Sequence, residues 1–321
     1  MKRDLPNALV KLQHGVFSRK QALEAGLTHE MVDARLRSGT WRQVSRGVYT
    51  ATVGDLDRTG LMWAAVLSAG RGAMLSHETA AENLRIVGRP SREIHLIVPE
   101  ERRVETVPGL RIHRSRRAFE IALADCSLPC TSAEETALDL VDASETFDEM
   151  CGWVTRALTR NRTTAVKLRA AMSRRGRLRW RTVLGDMIDA TITGDQSVLE
   201  HRYERDVERA HGLPEPILQV PFTTPDGMRG RRDRAYPGYR VVVELDGQLY
   251  HLAEAVWDDK DRDNAAIEAG HEPLRYGWRR VTQSPCATAV QVGRVLRANG
   301  WQGRLRPCSA NCPARYETVA A

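Results

Sequence analysis

No stretch of this 321-residue chain approaches the roughly 20 consecutive apolar residues that cross a bilayer as a helix. Runs such as Met62 to Ala69 are far shorter, and charged residues make up 28% of the sequence. A membrane-spanning helix is therefore excluded from the expectation. Met1 to Gln13 carries Lys2 and Arg3 but lacks the apolar core and small-residue cleavage site of a secretory leader, so the expected location is the cytoplasm. Cysteine is scarce, and six residues in a chain this long without a secretory leader argue against a disulfide scaffold, although Cys308 and Cys312 are grouped in a Pro-flanked tail with Cys286 upstream. Aromatic residues are only 6%, and no aromatic platform for reading single-stranded bases is evident. A bias toward one sign of charge is also small: 48 Lys and Arg against 41 Asp and Glu give +7, which permits phosphate binding without requiring it.

What is present is arginine in clusters, at Arg114 to Arg117, Arg156 to Arg181 and Arg229 to Arg240. Such clusters either release counterions from a nucleic-acid backbone or line a solvated helix face. The length calls for two or three compact units. We expect a multidomain α+β chain with a unit at 1–54, a mixed α/β middle domain with a helical Arg-rich linker at 55–190, and a third domain at 191–321 ending in a Cys-containing tail.

The first fifty residues read as helix, helix and hairpin. Ser18 and Gln21 form a capping-box pattern before Ala22 and Leu23, with Gly26 placed to end that helix. Thr28 caps a second helix carrying Val32 and Leu36 on one face, with Gly39 as its stop. The segment from Thr40 to Thr50 alternates as two short strands around Ser45, Arg46 and Gly47. A winged helix is the simplest assembly of these parts. Its second helix would present His29, Arg35 and Arg37 to the major groove, while Arg42 and Arg46 on the wing would meet phosphates. The same unit can also serve as a protein-docking module.

The middle of the chain predicts a helix near Thr59 to Ala69, alternating strands at 93–99 and 110–115, and helices at Ala133 to Ala143 and Phe147 to Leu158. His77, His95 and His113 are scattered among these elements and read as structural or surface histidines. The strings "GVFSRKQALEAGL", "WRQVSRGVYT" and "LPCTSAEETALDLV" resemble the AbiEi-type antitoxins of abortive-infection systems over about the first 140 residues. That resemblance implies sequence-specific DNA binding by Ser18 to Tyr49 and a protein partner of toxin–antitoxin or defence type.

In the last third, Leu199, Tyr203 and Val207 form one stripe of a helix that Gly212 and Pro214 stop. Three strand-like runs follow. In Val241 to Asp246 the alternation sends Val241, Val243 and Leu245 to one face and Val242, Glu244 and Asp246 to the other. Acidic groups at the end of so apolar a strand need a cation or hydrogen-bond donors. Asp233, eleven positions before Glu244, supplies a third oxygen if the two strands pair as a hairpin, a set suited to Mg²⁺ or Mn²⁺ and to phosphodiester hydrolysis. Two of these acids have plainer readings: Asp246 before Gly247 as turn chemistry, and Glu200, three after Ser197, as a capping-box partner.

The spacing of Asp233, Glu244 and Asp246 resembles the PD-(D/E)xK nuclease core, and the surrounding text resembles a family related to the very-short-patch-repair endonucleases, over about residues 195–312. The resemblance implies a restriction-endonuclease-like α/β core with a mixed sheet, Asp233 and Glu244 as metal ligands, Glu200 as an outer carboxylate and His251 as the acid/base. The lysine usual in the superfamily is replaced by Asp246. Lys260 and Arg262 are alternatives for holding phosphate. Cys286, Cys308 and Cys312 offer three thiolates for a structural Zn²⁺, with no fourth ligand in view; by resemblance Cys286 is the family's zinc cysteine. Cys126 and Cys130 read as loop residues. The expectation is a metal-dependent DNA endonuclease localised by a winged helix. The alternatives are a non-enzymatic DNA-binding transcriptional regulator with a degenerate nuclease domain, and RNA cleavage in a toxin-like role.

Overall fold

Both capping signals of the first fifty residues close. The computed structural model describes residues 7–105, 107–124, 126–194, 197–223, 227, 229–247 and 263–317. Ser18 Oγ accepts the N–H of Gln21 at 3.2 Å while Gln21 Oε1 accepts the N–H of Ser18 at 2.9 Å, heading the helix Arg19–Glu24. Thr28 Oγ1 accepts from Met31 N–H at the head of the helix His29–Arg37. Two further elements had no sequence signal, a helix at Asn7–Leu12 and strand β1 at Val16–Ser18. β1 is only three residues long, too short for alternation to register. It pairs antiparallel with β3 (Val48–Thr50), which pairs antiparallel with β2 (Arg42–Ser45), giving the order β1-β3-β2. Phe17, Ala22, Leu27, Val32, Trp41 and Tyr49 fill the space between sheet and helices, with the Phe17 ring edge-on to Trp41 at 4.6 Å.

The chain divides into two compact units, one of Met1–Ala143 with Arg156–Thr164 and the other of Ser144–Thr155 with Ala165–Ala321. The first unit continues with the helix Arg58–Ala69, capped by Asp57, and a second sheet of β4 (Met74–Leu75), β5 (Ile94–Pro99) and β6 (Leu110–Ser115). β4 and β5 are antiparallel, β5 and β6 parallel. The alternation read into β5 gives way to burial of Leu96, Ile97 and Val98 in succession. Leu96 and Val98 pack with Met62, Trp63 and Val66, whereas Ile97 joins Met74, Ala118 and Ile121. A middle strand covered on both faces has no polar face to show.

The second unit carries a four-stranded mixed sheet in the order β10-β9-β8-β7, formed by β7 (Ile217–Thr223), β8 (Arg229–Tyr236), β9 (Val241–Asp246) and β10 (Glu272–Gly277). β7, β8 and β9 run antiparallel, and β10 returns parallel to β9. The helix Ser197–Tyr203 continues as a π-helical stretch Glu204–Arg209, and its stripe of Leu199, Tyr203 and Val207 is fully buried. The helices Trp278–Gln283 and Pro285–Ala298 follow β10. The architecture is thus mixed α/β and multidomain. No helix among the described residues is long and apolar enough to cross a membrane.

The three histidines that look scattered along the sequence are gathered by the β4-β5-β6 sheet. His95 and His113 stand on neighbouring strands with Nδ1 of the first 3.1 Å from Nε2 of the second, and the His77 ring stacks on His113 at 3.7 Å. Burial, then the neighbouring His95 and Arg111, pushes His113 down to about 4 from its ordinary 6.5. Between those values the unfolded chain binds a proton there that the folded chain does not, so stability is present above the unfolded value and lost as pH falls toward the folded one. In metal-free buffer the urea midpoint should therefore decline from near pH 6.5 toward pH 4, and His113→Asn should flatten that decline; a variant with the wild-type pH profile would contradict it.

Candidate functional site

β8 carries arginine at 229, 231, 232 and 234, with Asp233 between the last two, and the sheet takes two of these guanidinium groups indoors. Arg234 is 1% exposed. Its Nε donates to the Glu208 carboxylate at 3.2 Å, its Nη2 donates to the Glu200 carbonyl at 2.9 Å, and its guanidinium lies 5.2 Å from the Tyr203 ring centre. Tyr236 Oη donates to Glu208 Oε1 at 2.6 Å. Burial pushes the Glu208 carboxyl up, while the charge of Arg234 and the Tyr236 hydrogen bond pull it back. The π-helical stretch is where Glu208 is carried.

Arg232 is equally enclosed. Its Nη1 donates to Glu244 Oε1 at 3.0 Å, and its guanidinium sits 3.9 Å from the centre of the Phe222 ring. Burial raises the Glu244 pKa; the Arg232 hydrogen bond opposes this and the charge of Asp233 adds to it. Asp233 lies where the β8–β9 pairing runs out at Arg234 and Val243. There Asp233 Oδ2 accepts the N–H of Leu245 at 2.7 Å, taking the place of a ladder partner. Gln219, in the left-handed region at φ +52°, donates through Nε2 to Glu200 Oε1 at 3.2 Å and to Asp233 Oδ1 at 3.4 Å.

The fold thus brings Glu200, Asp233 and Glu244 onto adjoining segments. Asp246 ends β9 opposite Gly277 of β10. His251, Lys260 and Arg262 lie outside the described residues. Two clusters among the described residues set three or more candidate ligand atoms within 4.8 Å of one another: His77 with His95 and His113, and His211 with Cys286, Cys308 and Cys312. Neither contains Asp233, Glu244, Asp246 or Glu200. Sequence reasoning missed Arg232 and Arg234 as counter-ions, because an arginine run on a charged chain looks like surface. It missed His211 because 75 positions separate it from Cys286 and no spacing motif joins them.

In the first unit, Arg37, Arg42 and Arg46 are exposed, and Arg42 Nη2 donates to the Gly54 carbonyl at 2.8 Å. Arg35 is half-buried with its guanidinium 5.1 Å from the centre of the Trp41 ring, a position that braces the helix His29–Arg37 against the hairpin. Arg19 joins three elements, donating to Tyr49 Oη, Asp33 and His29 Nδ1.

Residues 4–52 match the family model described as "Transcriptional regulator, AbiEi antitoxin". The DNA-regulator resemblance of the N-terminus is therefore supported by an independent comparison. Two curated Mycobacterium tuberculosis relatives, uncharacterised protein MT2308 of strain CDC 1551 and uncharacterised protein Rv2248 of strain H37Rv, are each 26% identical over 275 residues, spanning 84% of this chain and 97% of theirs. The crystal structure of the RV2827C protein from the same species superposes with a TM-score of 0.36 at 14% identity, covering 60% of this chain and 78% of that one. None of the matches named above is described as a short-patch-repair nuclease.

If Arg234 is the counter-ion of Glu208, Arg234→Leu strands a carboxylate in an apolar layer. The expected cost at neutral pH is about 3–5 kcal/mol in urea denaturation of the full chain, the range for breaking a buried pair from one side. The loss should shrink at acidic pH, where Glu208 can accept a proton.

Proposed function

We propose that the chain is a DNA-binding regulator of the AbiEi antitoxin kind, whose N-terminal unit docks on duplex DNA as a winged helix. The family match over residues 4–52 carries this reading. The element order supports it: helix Asn7–Leu12, β1, helices Arg19–Glu24 and His29–Arg37, then the β2–β3 hairpin, with β1 lying beside β3. In this arrangement His29–Arg37 is the recognition helix, with Arg37 facing base edges, and the exposed Arg42 and Arg46 of the hairpin reach phosphates. Arg35 acts through Trp41, fixing the angle of that helix. Regulators of this kind operate beside a toxin, so a protein partner and a cytoplasmic setting go with the proposal.

The test is fluorescence anisotropy on a duplex selected by the wild-type protein from a randomised pool, across a salt series. Arg46→Ala, losing one phosphate contact, should lower the slope of log affinity against log salt by about 0.9. Arg37→Ala should cost about 1–3 kcal/mol on the selected duplex and narrow its preference over a scrambled one. Equal binding by wild type and both variants would rule out this surface.

A second reading is favoured by one observation, the Gln219 side chain joining Glu200 to Asp233 beside Glu244. In this reading Asp233 and Glu244 hold Mg²⁺ or Mn²⁺ once Arg232 releases Glu244, with His251 carrying the proton in phosphodiester hydrolysis and Asp246 and Arg262 nearby in sequence. The regulator reading expects no cleavage of plasmid, single-stranded DNA or RNA with either ion that Asp233→Ala abolishes. Metal-dependent cleavage lost in that variant would establish the enzyme.

A further inference from the structure

We propose that His211, Cys286, Cys308 and Cys312 form a structural zinc site that fastens the C-terminal tail to the body of the second unit. One imidazole nitrogen and three sulfur atoms lie within 4.8 Å of one another, a donor set of four soft ligands. The Sγ atoms of Cys286 and Cys308 are 3.4 Å apart, far beyond the about 2.05 Å of a disulfide. Ligands about 2.3 Å from a tetrahedral ion stand roughly 3.7 Å from each other. The two sulfurs therefore stand unbonded and close to the spacing that a shared tetrahedral ion requires.

His211 makes the case independent of cysteine spacing. The ring is fully buried, Nδ1 lies 3.1 Å from the Val207 carbonyl, and Nε2 is enclosed without a hydrogen-bond partner among the described residues. An Nδ1–H donated to that carbonyl leaves Nε2 with its lone pair free, the tautomer of a metal-ligating histidine whose outer nitrogen is held by a backbone oxygen. A buried acceptor on a ring grouped with three thiols, and satisfied by nothing else among the described residues, is costly as it stands. A cation removes that cost.

The local backbone holds the four donors in place. His211 follows the π-helical stretch Glu204–Arg209, and its carbonyl accepts the N–H of Arg306 at 2.8 Å, which brings the tail alongside two residues before Cys308. Cys286 occupies the first turn of the helix Pro285–Ala298, which fixes its sulfur beside that of Cys308. Cys312 N–H donates to the Ser309 carbonyl at 3.2 Å, turning the chain between the last two sulfurs. Further along, Glu317 pairs with Arg294 and Arg297 of that helix at 2.6 and 2.8 Å. On binding, the three thiols release their protons and the ion joins segments that start at positions 211, 286 and 308. Three thiolates and a neutral imidazole around one divalent ion leave a net charge of −1.

The experiment uses the full chain purified under reduction. Elemental analysis should find one zinc per chain, and Cys308→Ser, at the exposed ligand, should lower that content several-fold while His211→Cys retains it. Replacement by Co²⁺ should give the visible ligand-field bands and near-ultraviolet sulfur-to-metal absorption of a tetrahedral thiolate site, a readout on the wild-type protein that does not depend on any variant folding. A chelator should lower the melting temperature of the wild type and leave that of Cys308→Ser unmoved. Reduced wild-type protein that carries no zinc and takes up no Co²⁺ would overturn the proposal, as would a Cys286–Cys308 disulfide persisting in the metal-free reduced preparation.

Discussion

A strand that carries arginine at positions 232 and 234 into a nearly dry layer folds only if carboxylates come in with it. Desolvating a guanidinium costs several kcal/mol, and mutual attraction in the interior recovers this only when the geometry is good and the remaining donors are used. Here Arg232 meets Glu244 at 3.0 Å, and Arg234 meets Glu208 at 3.2 Å with Tyr236 completing the carboxylate. The same demand shapes the neighbouring elements. The π-helical stretch carries Glu208, and the splaying of β8 from β9 leaves Leu245 N–H for Asp233 to receive. An acidic set that by sequence alone invites a divalent ion is, in the folded chain, largely engaged with the protein's own cations and amides.

This constraint separates the work of the two units. The second unit spends its buried charge on internal pairing and gathers its soft ligands at the tail. The N-terminal helices and hairpin of the first keep Arg37, Arg42 and Arg46 in water, while Arg19 and Arg35 hold the helix and hairpin in register. Exposed cations on a braced helix and hairpin suit a polyanionic duplex. The family match over residues 4–52 falls on that same surface.

Much of the local structure was legible because its causes are local. Ser18 with Gln21, Thr28, the turn at Gly47 and the alternation of Val241 to Asp246 each state their conformation within a few residues, and each forms as read. The hairpin joining Asp233 to Glu244 was legible too, from Pro237 and Gly238 between two strand-like runs. Partnerships across the chain were not. Nothing near Arg232 announces Glu244 as its counter-ion; the two residues belong to different strands and only the register brings them together. His77, His95 and His113 meet because β5 and β6 are parallel neighbours, and His211 meets the cysteines through a backbone hydrogen bond to Arg306. The alternation read into β5 failed for a related reason, since a strand covered on both faces has lost the polarity difference that alternation records.

The claim that Glu244 serves Arg232 is tested most directly by a double-mutant cycle of Arg232→Met, Glu244→Gln and their combination, read from urea denaturation with and without Mn²⁺. The account expects the double variant to be more stable than the sum of the single losses allows, by about 1.5 kcal/mol or more, the coupling of groups in direct contact, and expects Mn²⁺ to leave the wild-type midpoint unmoved. Additive losses, together with a wild-type midpoint that rises with Mn²⁺, would contradict it and return Glu244 to metal chemistry.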